Sequence, residues 1–498
     1  MLGGIFGATL TGAAPLWAEA VTRSPFPVPR PDGFYKKAIP SAEEIVAKSG
    51  VSGAVSFALV DPDTGEFTET RDPIKRLPPA SVAKTVTALY ALETLGTDHR
   101  FTTRVMATGP VAGGVVQGDL VLVGGGDPTL DTDMLGGLAE ELRGQGITGV
   151  TGAFQVWDGA LPRIEEIDGT QTEYAGYNPT ISGLNLNFNR VHFEWRRQGA
   201  DYSLKLDARA ERFAPDVRIA RVSVAARDVP VFDHEAGAGR DEWSVARSAL
   251  GGGGARWLPV RLPALYAGEV FQAVARMQGL RLPAPVRAAA APAADAVELA
   301  RHESAPLTVI ARDMLKYSTN LTAEVLGLTA SLARGHAVTD LATSARAQSE
   351  WARARFGMRH LDLKDHSGLG GASVVTASDM ARMLASPLAR VTLLPILKPV
   401  GLPTADGSAV DPDHPVKVVA KTGTLDFVSA LAGYVTTPDG RTLAFAIFAG
   451  DLPARVAAKA SGAEVPRGAR TFNSRAKKLH RALLARWGLF HAQVEHGG

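Results

Sequence analysis

Three short motifs carry the side chains that could do covalent chemistry: Ser81-Val82-Ala83-Lys84, Ser318-Thr319-Asn320 and Lys421-Thr422-Gly423. A serine hydroxyl is a poor nucleophile unless a base removes its proton as it attacks. Ser81 and Lys84 stand three apart, so on a helix they share a face and the amine can reach the hydroxyl. Lysine qualifies as that base only if its pKa falls from about 10.4 toward neutrality, which burial and a nearby positive charge can supply. Lys421 is the candidate for that charge. Ser-x-x-Lys alone is a weak signal, because the chain holds a second copy, Ser474-Arg475-Ala476-Lys477, in a basic C-terminal helix where the lysines are expected to cover a solvated face. What sets Ser81 apart is the sequel: Ser-x-Asn and Lys-Thr-Gly each occur once, and they follow Ser81 in that order.

The elements that must position these groups can be read around them. Pro78-Pro79 suits the start of a helix and not its middle. Ser81, Val82, Lys84, Ala88, Leu89, Ala91, Leu92 and Leu95 then recur at helical spacing, so a buried helix is expected to begin near Ser81. Residues 51–60 read as a strand, 61–65 as its turn and 66–70 as the return strand. Near the other end, 416–421, 428–435 and 442–449 read as three strands, and 469–487 as a closing helix. Residues 307–333 are helical in pattern, with Ser318 and Asn320 expected in a loop between two helices; 379–384 belong to another helix. Strands at both ends with helices between predict an α+β domain made of two separated segments. Between them, 102–300 read as β-rich, with alternation at 203–206 and 218–224. The glycines 251–254 read as a flexible join and 284–296 as a low-complexity Ala/Pro linker.

With its three ordered motifs the chain resembles the penicillin-recognising serine peptidases. Within them it is similar to the D-alanyl-D-alanine carboxypeptidase/endopeptidase family, the class C low-molecular-mass penicillin-binding proteins. The long gap between the first and second motifs, the segment Gly124-Gly125-Gly126-Asp127-Pro128-Thr129-Leu130 and the segment Ser318-Thr319-Asn320-Leu321-Thr322-Ala323-Glu324 carry the narrower match. The resemblance implies a penicillin-binding/β-lactamase-like transpeptidase domain, an antiparallel sheet flanked by helices, formed by 21–100 and 301–498. It is split by a large β-rich inserted region, 101–300, comprising two domains with one nested in the other at roughly 186–264.

The resemblance also implies roles. Ser81 would attack the carbonyl of the penultimate D-Ala of a peptidoglycan stem peptide, Lys84 take its proton, Ser318 relay a proton to the departing D-Ala, and Asn320 hold the substrate amide. Lys421, Thr422 and Thr424 would bind the terminal carboxylate, while Gly423 lets the substrate lie against the strand edge. The backbone N–H groups of Ser81 and Thr424 would form the oxyanion hole. β-Lactams would be covalent inhibitors, and neither a metal nor a cofactor is implied. Asp365-His366-Ser367-Gly368-Leu369 matches the family's glycine-rich segment only in part, with His366 at its first glycine; a glycine turn is an equal reading. With no Gly-x-Ser-x-Gly elbow to pair with, His366 stays outside the catalytic set. Asp127 would shape the cleft.

Composition narrows the partners. In 498 residues, 53 basic and 51 acidic side chains nearly cancel and form no basic block that would track phosphates, so nucleic acid is not an expected partner. The length calls for two or three domains, and 45% hydrophobic residues supply their cores. Absence of cysteine rules out a thiol nucleophile, Cys-ligated zinc and disulfides. Residues 2–17 are uncharged and Ala18-Glu19-Ala20 offers a cleavage site, so 1–20 reads as a signal peptide and the protein as exported to the periplasm or cell envelope. Residues 23–40, rich in proline, are expected to run over the surface. In the last helix Leu479, Leu483, Leu484 and Trp487 form a stripe expected to pack on the terminal strands; weak attachment to an anionic membrane surface is the second reading. Two rivals remain. A β-lactamase or esterase would need a deacylating Glu that the sequence does not locate, and a wall-binding protein without catalysis would be expected to have lost at least one of Ser81, Lys84, Ser318, Asn320, Lys421 and Thr422.

Overall fold

The computed structural model describes residues 39–237, 239–404, 409–460 and 466–494. The expected leader, 1–20, and nearly all of 23–40 lie outside the described residues. The chain divides at Ser41, and everything below belongs to the unit Ala42–Gly498.

Helix α1 (Ala42–Lys48) leads into β1 (Ala54–Val60), which turns back as β2 (Phe67–Arg71). A single 3-10 turn, Ala80–Val82, opens α2 (Ala83–Leu95). Ten consecutive residues of α2, Ala83 to Leu92, are buried, as expected of a helix that is apolar all round.

The chain then leaves for the β-rich region. It runs through β3 (Thr102–Ala107), the hairpin β4 (Val111–Ala112) and β5 (Val115–Val116), β6 (Leu120–Gly124), α3 (Thr132–Gly144), β7 (Gly149–Val150) and β8 (Phe154–Trp157). After a long loop come the hairpin β9 (Arg190–Gln198) and β10 (Asp201–Asp207), then β11 (Ala220–Ala225), β12 (Phe232–Ala236), β13 (Asp241–Ala246) and β14 (Gly253–Pro259). Helix α4 (Pro263–Met277), β15 (Pro285–Arg287) and β16 (Val297–Glu303) bring it back. A five-stranded sheet in the order β15-β8-β6-β3-β16 and three-stranded sheets β10-β9-β14 and β11-β13-β12 enclose one apolar core with α3 and α4. The glycines 251–254 are not a join. Gly253 and Gly254 open β14 and pair with Arg196 and Trp195 of β9, and Gly254 leaves the room that the Trp195 indole fills. Likewise 284–296 is not only a linker, since Pro285–Arg287 adds in parallel to β8 as an edge strand.

The return segment is α5 (Leu307–Tyr317), α6 (Asn320–Ala333), α7 (Leu341–Phe356), α8 (Ala377–Ala385), α9 (Pro387–Leu393), β17 (Lys398–Pro399), β18 (Lys417–Leu425), β19 (Val428–Thr436), β20 (Thr442–Gly450), α10 (Leu452–Ala460) and α11 (Ala469–Val494). Its strands join β1 and β2 in an antiparallel sheet of order β17-β18-β19-β20-β1-β2. Because strand side chains alternate between faces, one set, including Ala58, Ala432, Ala446 and Phe448, packs under α2, α6 and α8. The other, including Phe57, Leu431, Phe445 and Ile447, packs on α11. Both faces are covered, which is why β19 and β20 read as nearly unbroken apolar runs. Leu479, Leu483, Leu484 and Trp487 are all buried there, with the Trp487 ring edge-on to Phe57 at 5.5 Å. The apolar stripe of α11 is therefore spent on the sheet. No helix among the described residues is long and apolar enough to cross a membrane.

Candidate active site

Two glycines pinch the turn that carries Ser81. A Cβ on Gly423 of β18 would lie 2.7 Å from the Pro79 carbonyl oxygen and 3.1 Å from the Ser81 nitrogen. A Cβ on Gly368, across the turn, would meet the Ala80 carbonyl oxygen at 1.9 Å. Only glycine permits backbone this close. Gly423 is therefore required by the Ser81 turn. Ala80 itself sits at φ 46°, a conformation that costs a non-glycine residue about 1–2 kcal/mol and persists only where the surroundings enforce it.

Lys84, the second residue of α2 and one turn after Ser81, is fully buried. Its Nζ donates to Ser81 Oγ at 3.0 Å, Asn320 Oδ1 at 2.8 Å and the Ser367 carbonyl at 2.8 Å. Burial pushes this amine down to about 8, against the pull of the Glu324 and Asp365 carboxylates. Burial is the largest cause of this depression, and the two amines repel each other: burial first and Lys84 second hold Lys421 well below the usual lysine range. Lys421 is also buried, and its Nζ donates to Ser318 Oγ at 2.9 Å and to the Thr422 carbonyl at 2.7 Å.

Ser318 ends α5 in a left-handed conformation (φ 62°) and Asn320 begins α6. That corner aims the Ser318 hydroxyl at Lys421 and the Asn320 amide at Lys84. The Asn320 Nδ2 donates to the Tyr177 carbonyl at 2.9 Å, so the loop before β9 is tied to the corner.

Behind Lys84 stands Glu324, fully buried, accepting from the His366 and Ser367 amides at 2.8 and 2.9 Å. Burial and the neighbouring Asp365 push its carboxyl up to about 8. The segment Asp365–Leu369 is thus the floor of the site: its Ser367 carbonyl receives Lys84, and Gly368 and Leu369 line the cleft. His366 faces away from Ser81, its Nε2 2.8 Å from Ser344 Oγ, and burial holds it neutral by pushing it down to about 3.

The cleft, about 420 Å³, is lined by Ser81, Ser318, Asn320 and Thr424, with Tyr177 on one wall and Arg455 on another. Thr422 and Gly423 do not line it. Asp127 does not either; it is buried in its own loop, accepting from Thr129 N and Oγ1 at 2.8 and 2.6 Å. At one end Lys459 of α10 donates to Thr170 Oγ1 at 3.0 Å, joining that helix to the loop before β9. Among the described residues no strand pairs with the outer edge of β18 beyond Lys421, since β17 pairs with Ala420 and Val419. Sequence reasoning missed Tyr177, which carries no motif, and the place of Glu324, whose signal was the run from Ser318 to Glu324. An open strand edge, a serine with a depressed-pKa amine at hydrogen-bonding distance and a second serine with its own lysine can together carry out acyl transfer on an extended peptide.

The family model described as D-Ala-D-Ala carboxypeptidase 3 (S13) matches residues 41–466. A D-alanyl-D-alanine carboxypeptidase of Actinomadura sp. (strain R39) is 32% identical over 434 residues, spanning 81% of this chain and 79% of the relative. The D-alanyl-D-alanine carboxypeptidase DacB of Haemophilus influenzae is 26% identical over 392 residues, 74% of this chain and 79% of that one. Among solved structures, penicillin binding protein 4 of Haemophilus influenzae in complex with a β-lactam superposes with a TM-score of 0.68 at 19% identity, covering 90% of this chain and 100% of that chain. That likeness is one of fold.

Proposed function

The chain belongs to the D-Ala-D-Ala carboxypeptidase 3 (S13) family, and from that premise we propose that it removes the terminal D-Ala from peptidoglycan stem peptides through an acyl-enzyme on Ser81. The observation that carries this reading is the place of the Lys84 amine, 3.0 Å from the Ser81 hydroxyl and fully buried. As the Ser81 oxygen bonds to the penultimate carbonyl carbon, its proton passes to neutral Lys84. The carbonyl oxygen gathers negative charge against the backbone N–H groups of Ser81 and Thr424, a donor pair of the kind worth about 3 kcal/mol each. When the peptide bond breaks, the D-Ala nitrogen takes a proton from Ser318, which Lys421 replaces at 2.9 Å. Once the proton that Lys84 took from Ser81 has passed on to restore Lys421, Lys84 is neutral again and serves as base for water attacking the ester; the proton it takes from water goes to the departing Ser81 oxygen, freeing the shortened peptide and restoring the hydroxyl. Thr424, which lines the cleft, suits the carboxylate that D-Ala carries. A crossbridge ending in a D-centre presents the same bond, so endopeptidase cleavage belongs to the same proposal.

A β-lactam places its amide carbonyl at the same atom, and its leaving nitrogen stays tethered to the acyl group, which favours a persistent adduct. Glu324 argues against rapid deacylation: both carboxylate oxygens are engaged by backbone amides beneath Lys84 and the residue is sealed from the cleft. The peptidase portion in this reading is 21–100 with 301–498, and 101–300 is an insert whose loop before β9 completes the cleft. The leader supports export to the cell envelope. Intact-protein mass spectrometry with benzylpenicillin tests the reading: a single lasting adduct on the wild type, none on Ser81→Ala, and D-Ala release from a pentapeptide by the wild type alone. Rapid drug turnover without a lasting adduct would support a β-lactamase instead, and no reaction in folded protein would support a binding protein.

A further inference from the structure

Behind the corner formed by Ser318 and Asn320 lies a second, smaller cavity of about 150 Å³, bounded by Tyr177, Phe188, Arg190 and Tyr317. It shares Tyr177, Ser318 and Asn320 with the main cleft, whereas Thr424 lines the main cleft alone. Arg190 is its one charged group. The guanidinium lies 5.2 Å from the Phe188 ring and 5.4 Å from the Trp257 ring, and among the described residues no hydrogen bond or ion pair reaches it. Its Nε is cut off from solvent without a partner. A guanidinium carries five donors in a rigid fork matched to a carboxylate, and a half-buried one left without an acceptor is costly unless an anion completes it.

The surroundings hold this arrangement deliberately. Asn187, Phe188 and Asn189 run consecutively through the left-handed region, at φ 50°, 57° and 52°, which asparagine tolerates but which costs Phe188 about 1–2 kcal/mol. Buried amides enforce the run: Asn189 Nδ2 donates to the Thr180 carbonyl at 2.8 Å and to Asn185 Oδ1 at 2.7 Å, and Asn187 Nδ2 donates to Thr132 Oγ1 at 2.9 Å. The strain turns Phe188 into the cavity wall. A Cβ at Gly176 would meet the Trp257 carbonyl at 2.8 Å and Arg190 Cδ at 3.4 Å, so the glycine keeps the place that the arginine stem occupies. Burial also weakens the guanidinium's hold on its proton, the direction expected of a cation waiting for a counter-charge.

We infer that this cavity is a carboxylate subsite for the acyl-donating part of the peptide substrate, with Arg190 taking the carboxylate bidentately and Tyr177 and Tyr317 flanking the chain that bears it. This rests on the proposed peptidase activity. The group bound is remote from the departing D-Ala, because Thr424 and the open edge of β18 lie outside the cavity. In a stem peptide the γ-linked D-glutamate offers such a free carboxylate, one residue beyond the diamino acid.

The test compares L-Ala-γ-D-Glu-L-Lys-D-Ala-D-Ala with the peptide carrying a carboxamide in place of the glutamate α-carboxylate, read as D-Ala release. The wild type should prefer the carboxylate peptide by about ten-fold in kcat/KM, mostly through KM, as fits a charge-assisted hydrogen-bonded pair. Arg190→Gln should bring that ratio to about one, and Arg190→Lys, which keeps the charge without the fork, should restore part of it. Equal rates for the two peptides with the wild type overturn the subsite alone. A loss in Arg190→Gln spread evenly over both peptides and over benzylpenicillin acylation overturns it in favour of a packing role between Phe188 and Trp257. Release of D-Ala from neither peptide by the wild type overturns the peptidase reading, and the subsite with it.

Discussion

The amine of Lys421 lies 2.9 Å from the hydroxyl of Ser318, so the second serine of the site has a lysine of its own and does not depend on Lys84 for its proton. Under the proposed mechanism, removing that amine should slow the step in which the leaving nitrogen is protonated. Lys421→Met is expected to reduce acylation by benzylpenicillin by about 10²–10³-fold, the range of a lost general acid. Stability should hold or rise, because an apolar side chain of similar length replaces a buried charge. Stopped-flow acylation together with thermal melts checks this; an unchanged acylation rate would remove Lys421 and Ser318 from the proton path.

The acylation rate should rise with pH. Attack requires neutral Lys84, and burial places its pKa at about 8, so the second-order rate constant should climb through about pH 8 and level off above it. Glu324 holds the amine up, opposing burial. Glu324 is itself pushed up to about 8, so it becomes a negative neighbour only as it ionises in the same range; Glu324→Gln removes that charge and should move the rising limb to lower pH, with some loss of stability because one of the two acceptors for His366 and Ser367 becomes a donor. A limb that stays where it was would mean that the titrating group is not Lys84.

Gly423→Ala isolates positioning from chemistry. The added methyl would lie 2.7 Å from the Pro79 carbonyl and 3.1 Å from the Ser81 nitrogen, so the turn must retreat by a few tenths of an ångström or more. A displacement of this order at the nucleophile is expected to cost about 10²-fold in acylation, with every catalytic side chain still present. Soaking the variant with benzylpenicillin and following adduct mass over time gives the rate; wild-type kinetics would show that β18 and the Ser81 turn are not coupled.

How much of this was legible in the sequence depends on the range of the contacts involved. The α+β class and the family followed from three motifs in order, and β1, β19 and β20 from local apolar runs. The helix at Ser81 was legible because prolines and periodicity mark it within a dozen residues. The glycines at 251–254 were misread because nothing local reveals that Gly253 and Gly254 pair with β9 nearly sixty positions earlier in the chain. Pro285–Arg287 was missed for the same reason, an edge strand being defined by its partner β8. In the site, side chains named by motif were visible, whereas contributions from the backbone were not. The Ser367 carbonyl holds Lys84, and the Tyr177 carbonyl holds Asn320, and a carbonyl has no residue type. Burial was expected as a source of the Lys84 depression and is its largest cause, but how completely the amine is buried depends on packing that spacing does not show.

Two histidines should set the acid limit of the fold. Burial pushes both His366 and His480 down to about 3, so each is neutral in the native protein while an unfolded chain would protonate it below about 6.5. Below that pH the unfolded state binds more protons than the native one, so stability falls as pH drops from about 6.5 toward 3. Each ring then contributes a loss of ~3 kcal/mol by about pH 4. The two differ in what else they do. His366 is anchored through Ser344 and Gln348, whereas the Nε2 of His480, inside α11, is buried without a partner. His480→Leu therefore removes a titrating group without stranding another, fills similar volume and should flatten the decline of Tm between about pH 6.5 and about pH 4 while leaving Tm at neutral pH unchanged or higher. Differential scanning calorimetry across that range decides it: a parallel decline in variant and wild type would show that His480 is already protonated in the native helix and that the acid limit lies with other groups.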